Sequence, residues 1–165
     1  METKKKILIV DDDIDVINIV ETILTKKGYE VISANDKTEG IEKILKEKPD
    51  LAILDVIMTT QYEGFELAKL IKDSPDLQDM PVLMQTSIDV LFTTKPSVQA
   101  MAREYRKNPE YKDLDVLLVK NINTGDAGVD YKSETGESIW FPVNGFIRKP
   151  VDANKILPEI KKLLS

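Results

Sequence analysis

The chain has 165 residues, 42% of them hydrophobic, a formal net charge of −6, and neither cysteine nor histidine. That length suits one domain, with or without an insertion, while the missing residue types exclude thiol redox chemistry, cysteine-based zinc sites and every histidine-based catalytic or phosphocarrier role within the chain. Lysines scattered among acids argue against a nucleic-acid surface, and no apolar run is long enough for a signal-peptide core or a membrane span, so a soluble, cytoplasmic protein is expected.

Taken in order, the first element is Ile7-Leu8-Ile9-Val10, an apolar run suited to a buried strand that ends in Asp11-Asp12-Asp13. Val16, Ile17, Val20, Ile23 and Leu24 then recur at helical spacing, predicting a helix over residues 13–27 that stops at Gly28. Residues 30–34 read as a second strand. Asp36 followed by Glu39 resembles a capping box, and Ile41, Ile44 and Leu45 give a second helix its core face before Pro49 ends it. Leu51-Ala52-Ile53-Leu54-Asp55 has the pattern of a central strand buried on both faces, with one carboxylate at its carboxyl end. Phe65, Leu67, Ala68, Leu70 and Ile71 suit a third helix, and residues 81–86 a fourth strand. Strands alternating with helices predict a parallel sheet with right-handed crossovers and helices on both faces.

The pattern then loosens. Residues 97–107 suit a helix, residues 114–119 fit either a strand or a buried helical turn, and residues 129–132 and 138–141 flank Glu134-Thr135-Gly136 as a hairpin in which Trp140 and Phe141 require a hydrophobic surface. Regularity returns with a short strand over residues 145–150. A last helix over residues 152–164 contains Pro158, which calls for a separate first turn or a kink.

In open α/β sheets ligands bind at the carboxyl ends of the strands, and parallel first and third strands would bring Asp11, Asp12 and Asp55 to one such edge. Two carboxylates about 4 Å apart repel by roughly 4 kcal/mol at an effective dielectric near 20, a cost that a hard divalent cation removes. Carboxylates without histidine or cysteine match Mg²⁺. Thr86 and Lys149 fall at the carboxyl ends of two further strands, so a hydroxyl and an ammonium would face the same pocket. Such a set can neutralise a phosphoryl group, with Asp55 as the nucleophile. Each residue alone has a plainer reading: a solvated lysine, a β-forming threonine, acids favoured at a helix N-terminus. Their coincidence in register favours the site.

These stretches, with Leu54-Asp55-Val56-Ile57-Met58, Gly64-Phe65-Glu66-Leu67, Pro81-Val82-Leu83-Met84-Gln85-Thr86-Ser87 and Gly145-Phe146-Ile147-Arg148-Lys149-Pro150, resemble the receiver domains of two-component response regulators. The resemblance covers residues 4–87 and 145–164. It implies the flavodoxin-like (βα)5 doubly wound parallel sheet with strand order 2-1-3-4-5. It implies that Asp55 accepts phosphate from a sensor histidine kinase or histidine phosphotransfer protein, that Asp11, Asp12, Asp55 and the backbone carbonyl of Ile57 hold Mg²⁺, that Thr86 and Lys149 contact the phosphoryl oxygens, and that Phe146 reports the state of Thr86.

Two departures stand out. Thr59 occupies a position where the family usually has proline, and residues 88–144, with roughly 40 residues more than a short helix and its loops, must carry structure of their own. The expectation is a single receiver over residues 1–165 with residues 88–144 as an insertion. Because the last receiver helix ends the chain, a stand-alone protein whose output is a change of downstream protein partner is expected, with no external substrate, no nucleic acid and no membrane. Two alternatives are a degenerate receiver serving as an unphosphorylated scaffold and a haloacid-dehalogenase-like phosphohydrolase. The latter expects a second aspartate where Ile57 stands.

Overall fold

The computed structural model describes residues 4–56, 63–133 and 135–164. The chain divides into two compact units, Met1–Ser87 with Ile147–Ser165, and Ile88–Phe146.

The first unit is built on a five-stranded sheet of order β2-β1-β3-β4-β9, where β1 is Lys6–Val10, β2 Glu30–Ala34, β3 Leu51–Asp55, β4 Val82–Thr86 and β9 Gly145–Arg148. The pairings of β1 with β2 and β3, and of β3 with β4, are all parallel. This is the flavodoxin-like order that the resemblance to receiver domains implies. Every residue of β3 and β4 is buried, as strands covered on both faces require. One face carries Ile7, Ile9, Leu51, Ile53, Leu83 and Ile147 against α1 (Ile14–Lys26) and α5 (Ala153–Leu164), which contribute Ile17, Val20, Leu24, Ile156 and Ile160. The remaining helices of this unit are α2 (Lys37–Glu47) and α3 (Glu63–Asp73), with Ile44, Leu67, Ala68 and Ile71 fully or almost fully buried. α1 is capped by Asp13, whose side chain accepts from Asp15 N, and α2 by Asp36, which accepts from Glu39 N at 2.8 Å. The expected proline effect in α5 did not divide it: Ala153–Leu164 is one helix with Pro158 inside.

Helix α3 begins against the end of β3. A methyl group on Gly64 would lie 2.0 Å from the backbone oxygen of Asp55 and 2.8 Å from that of Val56. No side chain fits there without moving the backbone that carries Asp55.

The second unit is a mixed four-stranded sheet of order β5-β6-β7-β8, with β5 Val90–Thr93, β6 Val116–Asn121, β7 Ala127–Lys132 and β8 Ser138–Val143. Strands β5 and β6 are parallel and joined through α4 (Val98–Arg106), while β6, β7 and β8 are antiparallel neighbours. Residues 114–119, whose sequence fits either a strand or a buried helical turn, supply a strand that starts two residues later. Strand β5 had no counterpart in the sequence reading. Four residues of mixed burial carry little period of their own, and only pairing with β6 defines them. The helix and the hairpin strands lie where the sequence put them, although Glu134 of the turn is outside the described residues. Trp140 packs with α4 and β6 against Ala102, Leu117 and Val119, and its indole occupies the space that a side chain at Gly128 would need, 2.3 Å from that position. Phe141, one residue on along β8, is buried edge-to-face on Tyr131. Arg106, at the end of α4, holds the unit together: Nε donates to Asp130 Oδ1 at 3.1 Å, Nη2 to Asp130 O at 3.2 Å, and Nη1 to the backbone oxygens of Tyr111 and Leu114.

Candidate functional site

The carboxyl edge of the first unit's sheet gathers charge that the sheet body lacks. Asp55 ends β3 and is 4% exposed, and Asp11 follows β1 and is fully buried. Asp12, beside it, is exposed. Asp11, Asp12 and Asp55 offer carboxylate oxygens within 4.8 Å of one another. Lys149 reaches them from the end of β9, with Nζ 3.0 Å from Asp55 Oδ1 and 3.5 Å from Asp11 Oδ2, while its backbone N–H donates to Thr86 O at 2.8 Å. The sequence expectation that these strand ends meet therefore holds for Asp11, Asp12, Asp55 and Lys149.

The cluster is electrostatically uneven. Burial pushes the Asp11 carboxyl above its ordinary pKa and Asp12 adds to the shift, although the Asp13 N–H that Asp11 Oδ1 accepts at 2.9 Å and the Lys149 ammonium pull the other way. For Lys149 burial alone would lower the pKa, but the Asp55 and Asp11 carboxylates outweigh it and hold the ammonium above its ordinary value. Among the described residues, the ammonium pairs with two members of a cluster of three carboxylates. Asp11 Oδ2 is buried and accepts no hydrogen bond among the described residues. Excess negative charge, an all-oxygen donor set and a buried carboxylate oxygen that among the described residues is held only by an ion pair at 3.5 Å together fit a hard divalent cation.

Thr86 lies at the carboxyl end of β4 and is 2% exposed. Phe146 lies on β9 and is partly buried. Ile57, with its expected metal-binding carbonyl, lies outside the described residues, as does Thr59. One residue went unremarked in the sequence reading. Gln85 is fully buried, stands beside Asp55 in the β3–β4 register, and has both side-chain atoms without a hydrogen-bond partner among the described residues. Its signal was available: a carboxamide inside an otherwise apolar strand, Val82-Leu83-Met84-Gln85-Thr86.

Known proteins share the family and the fold of this chain. The family model described as the response regulator receiver domain matches residues 7–115. The chain is 35% identical over 105 residues to the alkaline phosphatase synthesis transcriptional regulatory protein PhoP of Bacillus subtilis, covering 64% of this chain and 42% of that protein. It is 30% identical over 154 residues to the "Probable transcriptional regulator ycf27" of Cyanophora paradoxa, covering 92% of this chain and 61% of that one. The chain therefore spans less than two thirds of the length of these relatives. Among solved structures, a CheY-like receiver domain protein from Methanospirillum hungatei aligns with a TM-score of 0.60 at 25% identity, over 98% of this chain and 94% of that one. The chemotaxis response regulator CheY4 of Vibrio cholerae aligns with a TM-score of 0.59 at 23% identity, over 98% and 99% of the two chains, a likeness of fold. The family match ends in the second unit, yet the strand that completes the five-stranded sheet is Gly145–Arg148. No helix among the described residues is long and apolar enough to cross a membrane.

Proposed function

The chain belongs to the response regulator receiver domain family, and from that premise we propose that Asp55 accepts a phosphoryl group and that the phosphorylated protein signals by changing its protein partner. The observation that carries this reading is the charge arrangement at one strand end: a nearly buried carboxylate, Asp55, 3.0 Å from an ammonium and within 4.8 Å of two further acids. Such a set is poised to bind and neutralise a tetrahedral, polyanionic group.

The donor is a phosphohistidine of a sensor kinase or phosphotransfer protein, since this chain has no histidine. An oxygen of the Asp55 carboxylate attacks phosphorus, the P–N bond breaks, and the imidazole nitrogen leaves with the electron pair and takes up a proton. The product is an acyl phosphate on Asp55, and attack of water on phosphorus later returns the carboxylate and inorganic phosphate. Lys149 remains protonated at neutral pH, its pKa being held up by the carboxylates, and moves from Asp55 Oδ1 to a phosphoryl oxygen as that charge arrives. Thr86 donates its hydroxyl to another. Asp11, Asp12, Asp55 and the Ile57 carbonyl would hold Mg²⁺, which supplies the charge neutralisation that lets two anions approach. No external substrate is turned over, and the expected setting is the cytoplasm. Residues 88–144 are taken as an insertion in this receiver.

The test is intact mass after incubation with acetyl phosphate and Mg²⁺. One phosphoryl group should be added to the wild-type chain and none to Asp55→Asn. Unchanged labelling of that variant would remove Asp55 from the reaction.

A further inference from the structure

The lateral order of the sheet is β1-β3-β4-β9, and the residues at the carboxyl ends of those strands on one face run Asp11, Asp55, Gln85, Lys149. The face follows from alternation: Asp55 shares it with Leu51 and Ile53, Gln85 with Leu83, and Lys149 with Ile147, all of which pack in one core cluster with α1 and α5. Lys149 therefore reaches Asp55 by crossing the whole of β4, about 10 Å of sheet at the usual strand spacing. The strand it crosses presents Gln85, which is in register with Asp55. The strand between the two partners of the ion pair thus carries, on the same face, a fully buried carboxamide whose Nε2 and Oε1 have no hydrogen-bond partner among the described residues. Burying an amide in this way is costly, so its partners are to be sought in another state of the same site.

We infer that Gln85 is a positioning residue for Lys149, its carboxamide oxygen accepting a hydrogen bond from Nζ when the ammonium leaves Asp55 Oδ1 for the phosphoryl group. The inference rests on the phosphoacceptor role proposed for Asp55. In the unphosphorylated protein Asp55 Oδ1 holds the ammonium, and the amide goes without. Once that oxygen is committed to phosphorus, the ammonium needs acceptors near the same place. Gln85 lies between the two ends of the bridge and supplies one without adding negative charge to a site already rich in it. A leucine or methionine there would fill the space and leave the ammonium free to swing into solvent, since Lys149 is still 22% exposed.

The test is a double-mutant cycle read as the rate of phosphoryl incorporation from acetyl phosphate with Mg²⁺, followed by intact mass, with melting temperature measured alongside. Gln85→Met conserves volume and removes the amide. It should melt at the wild-type temperature or above, and yet be phosphorylated about tenfold more slowly, the loss of roughly one hydrogen bond to a charged group. In a Lys149→Ala background the same change should leave the rate unaltered, which a role confined to packing would not predict. Gln85→Leu should repeat the pattern should methionine pack poorly. An equal slowing in both backgrounds, or none in either, overturns the role of Gln85 while leaving Asp55 as acceptor. A wild-type chain that takes up no phosphoryl group overturns both.

Discussion

Each unit of this chain contains a partly buried basic residue set against a buried aspartate, and the two clusters are opposites. In the second unit Arg106 spends its guanidinium on Asp130 and on the backbone oxygens of Asp130, Tyr111 and Leu114, so that the fork is filled by the protein itself. In the first unit one ammonium is shared between Asp11 and Asp55, Asp11 Oδ2 has only that ion pair at 3.5 Å, and both ends of Gln85 lack a hydrogen bond among the described residues. A saturated polar cluster has nothing left to offer a ligand and acts as a clamp. An unsaturated one retains binding capacity at a cost in stability, as sites of chemistry commonly do.

The sharpest way to break this contrast is to remove the cations. Arg106→Met leaves Asp130, 5% exposed, without its partner. It should cost about 3–5 kcal/mol by denaturant unfolding, with no recovery on adding Mg²⁺. Lys149→Met should cost less and should regain stability with Mg²⁺, because a metal can replace an ammonium among carboxylates. Mg²⁺ rescue of the Arg106 variant, or its absence from the Lys149 variant, would undo the distinction. Lys149 also gives a pH signature: its pKa is raised on folding, so its stabilisation is complete below the ordinary lysine value and is lost as pH rises through the folded one. The Lys149 variant should therefore lack part of the alkaline fall in stability seen for wild type.

Next in size are two glycines where a methyl has no room. Gly64→Ala drives Cβ to 2.0 Å from Asp55 O and should both destabilise, by about 1–3 kcal/mol, and slow phosphoryl incorporation, since the backbone under Asp55 must shift. Gly128→Ala meets the Trp140 ring at 2.3 Å and should cost a similar amount or less, because an indole can rotate where a backbone cannot. Trp140 fluorescence during unfolding reads the second, and labelling rate the first. A Gly64→Ala protein labelled at the wild-type rate would detach α3 from the positioning of Asp55.

The smallest effect expected is a gain. Folding raises the Asp11 pKa, so the folded state disfavours the charged carboxyl. Stability falls as pH rises from the unfolded value towards the folded one, and the full burden is present above the folded value. Without metal, Asp11→Asn should melt a few degrees higher, the equivalent of about 1 kcal/mol. With Mg²⁺ the order should invert, wild type gaining and the variant not. A variant that melts lower than wild type in metal-free buffer would show that Asp11 is satisfied as it stands.

The elements of the first unit were almost all legible in the sequence, and their order in the sheet followed from the family resemblance. Runs such as Leu51-Ala52-Ile53-Leu54 suit buried strands, Asp36 with Glu39 marks a helix start, and parallel order brings Asp11, Asp55 and Lys149 to one edge. These are local patterns with strong periods. The second unit was legible only in parts, because β5 is four residues long and its neighbour β6 is separated from it by α4, so their pairing is written in no stretch short enough to read. The meaning of Arg106 was hidden for the same reason: its partners Asp130, Tyr111 and Leu114 come from β7 and the loop after α4. Gln85 is the clearest case of the division. Its identity as a polar residue in an apolar strand is a fact of sequence, and the strand order that puts β4 between β3 and β9 was implied by the resemblance to receiver domains, but the Asp55–Gln85 register and the carboxamide left unpaired among the described residues come from long-range packing that no local pattern records.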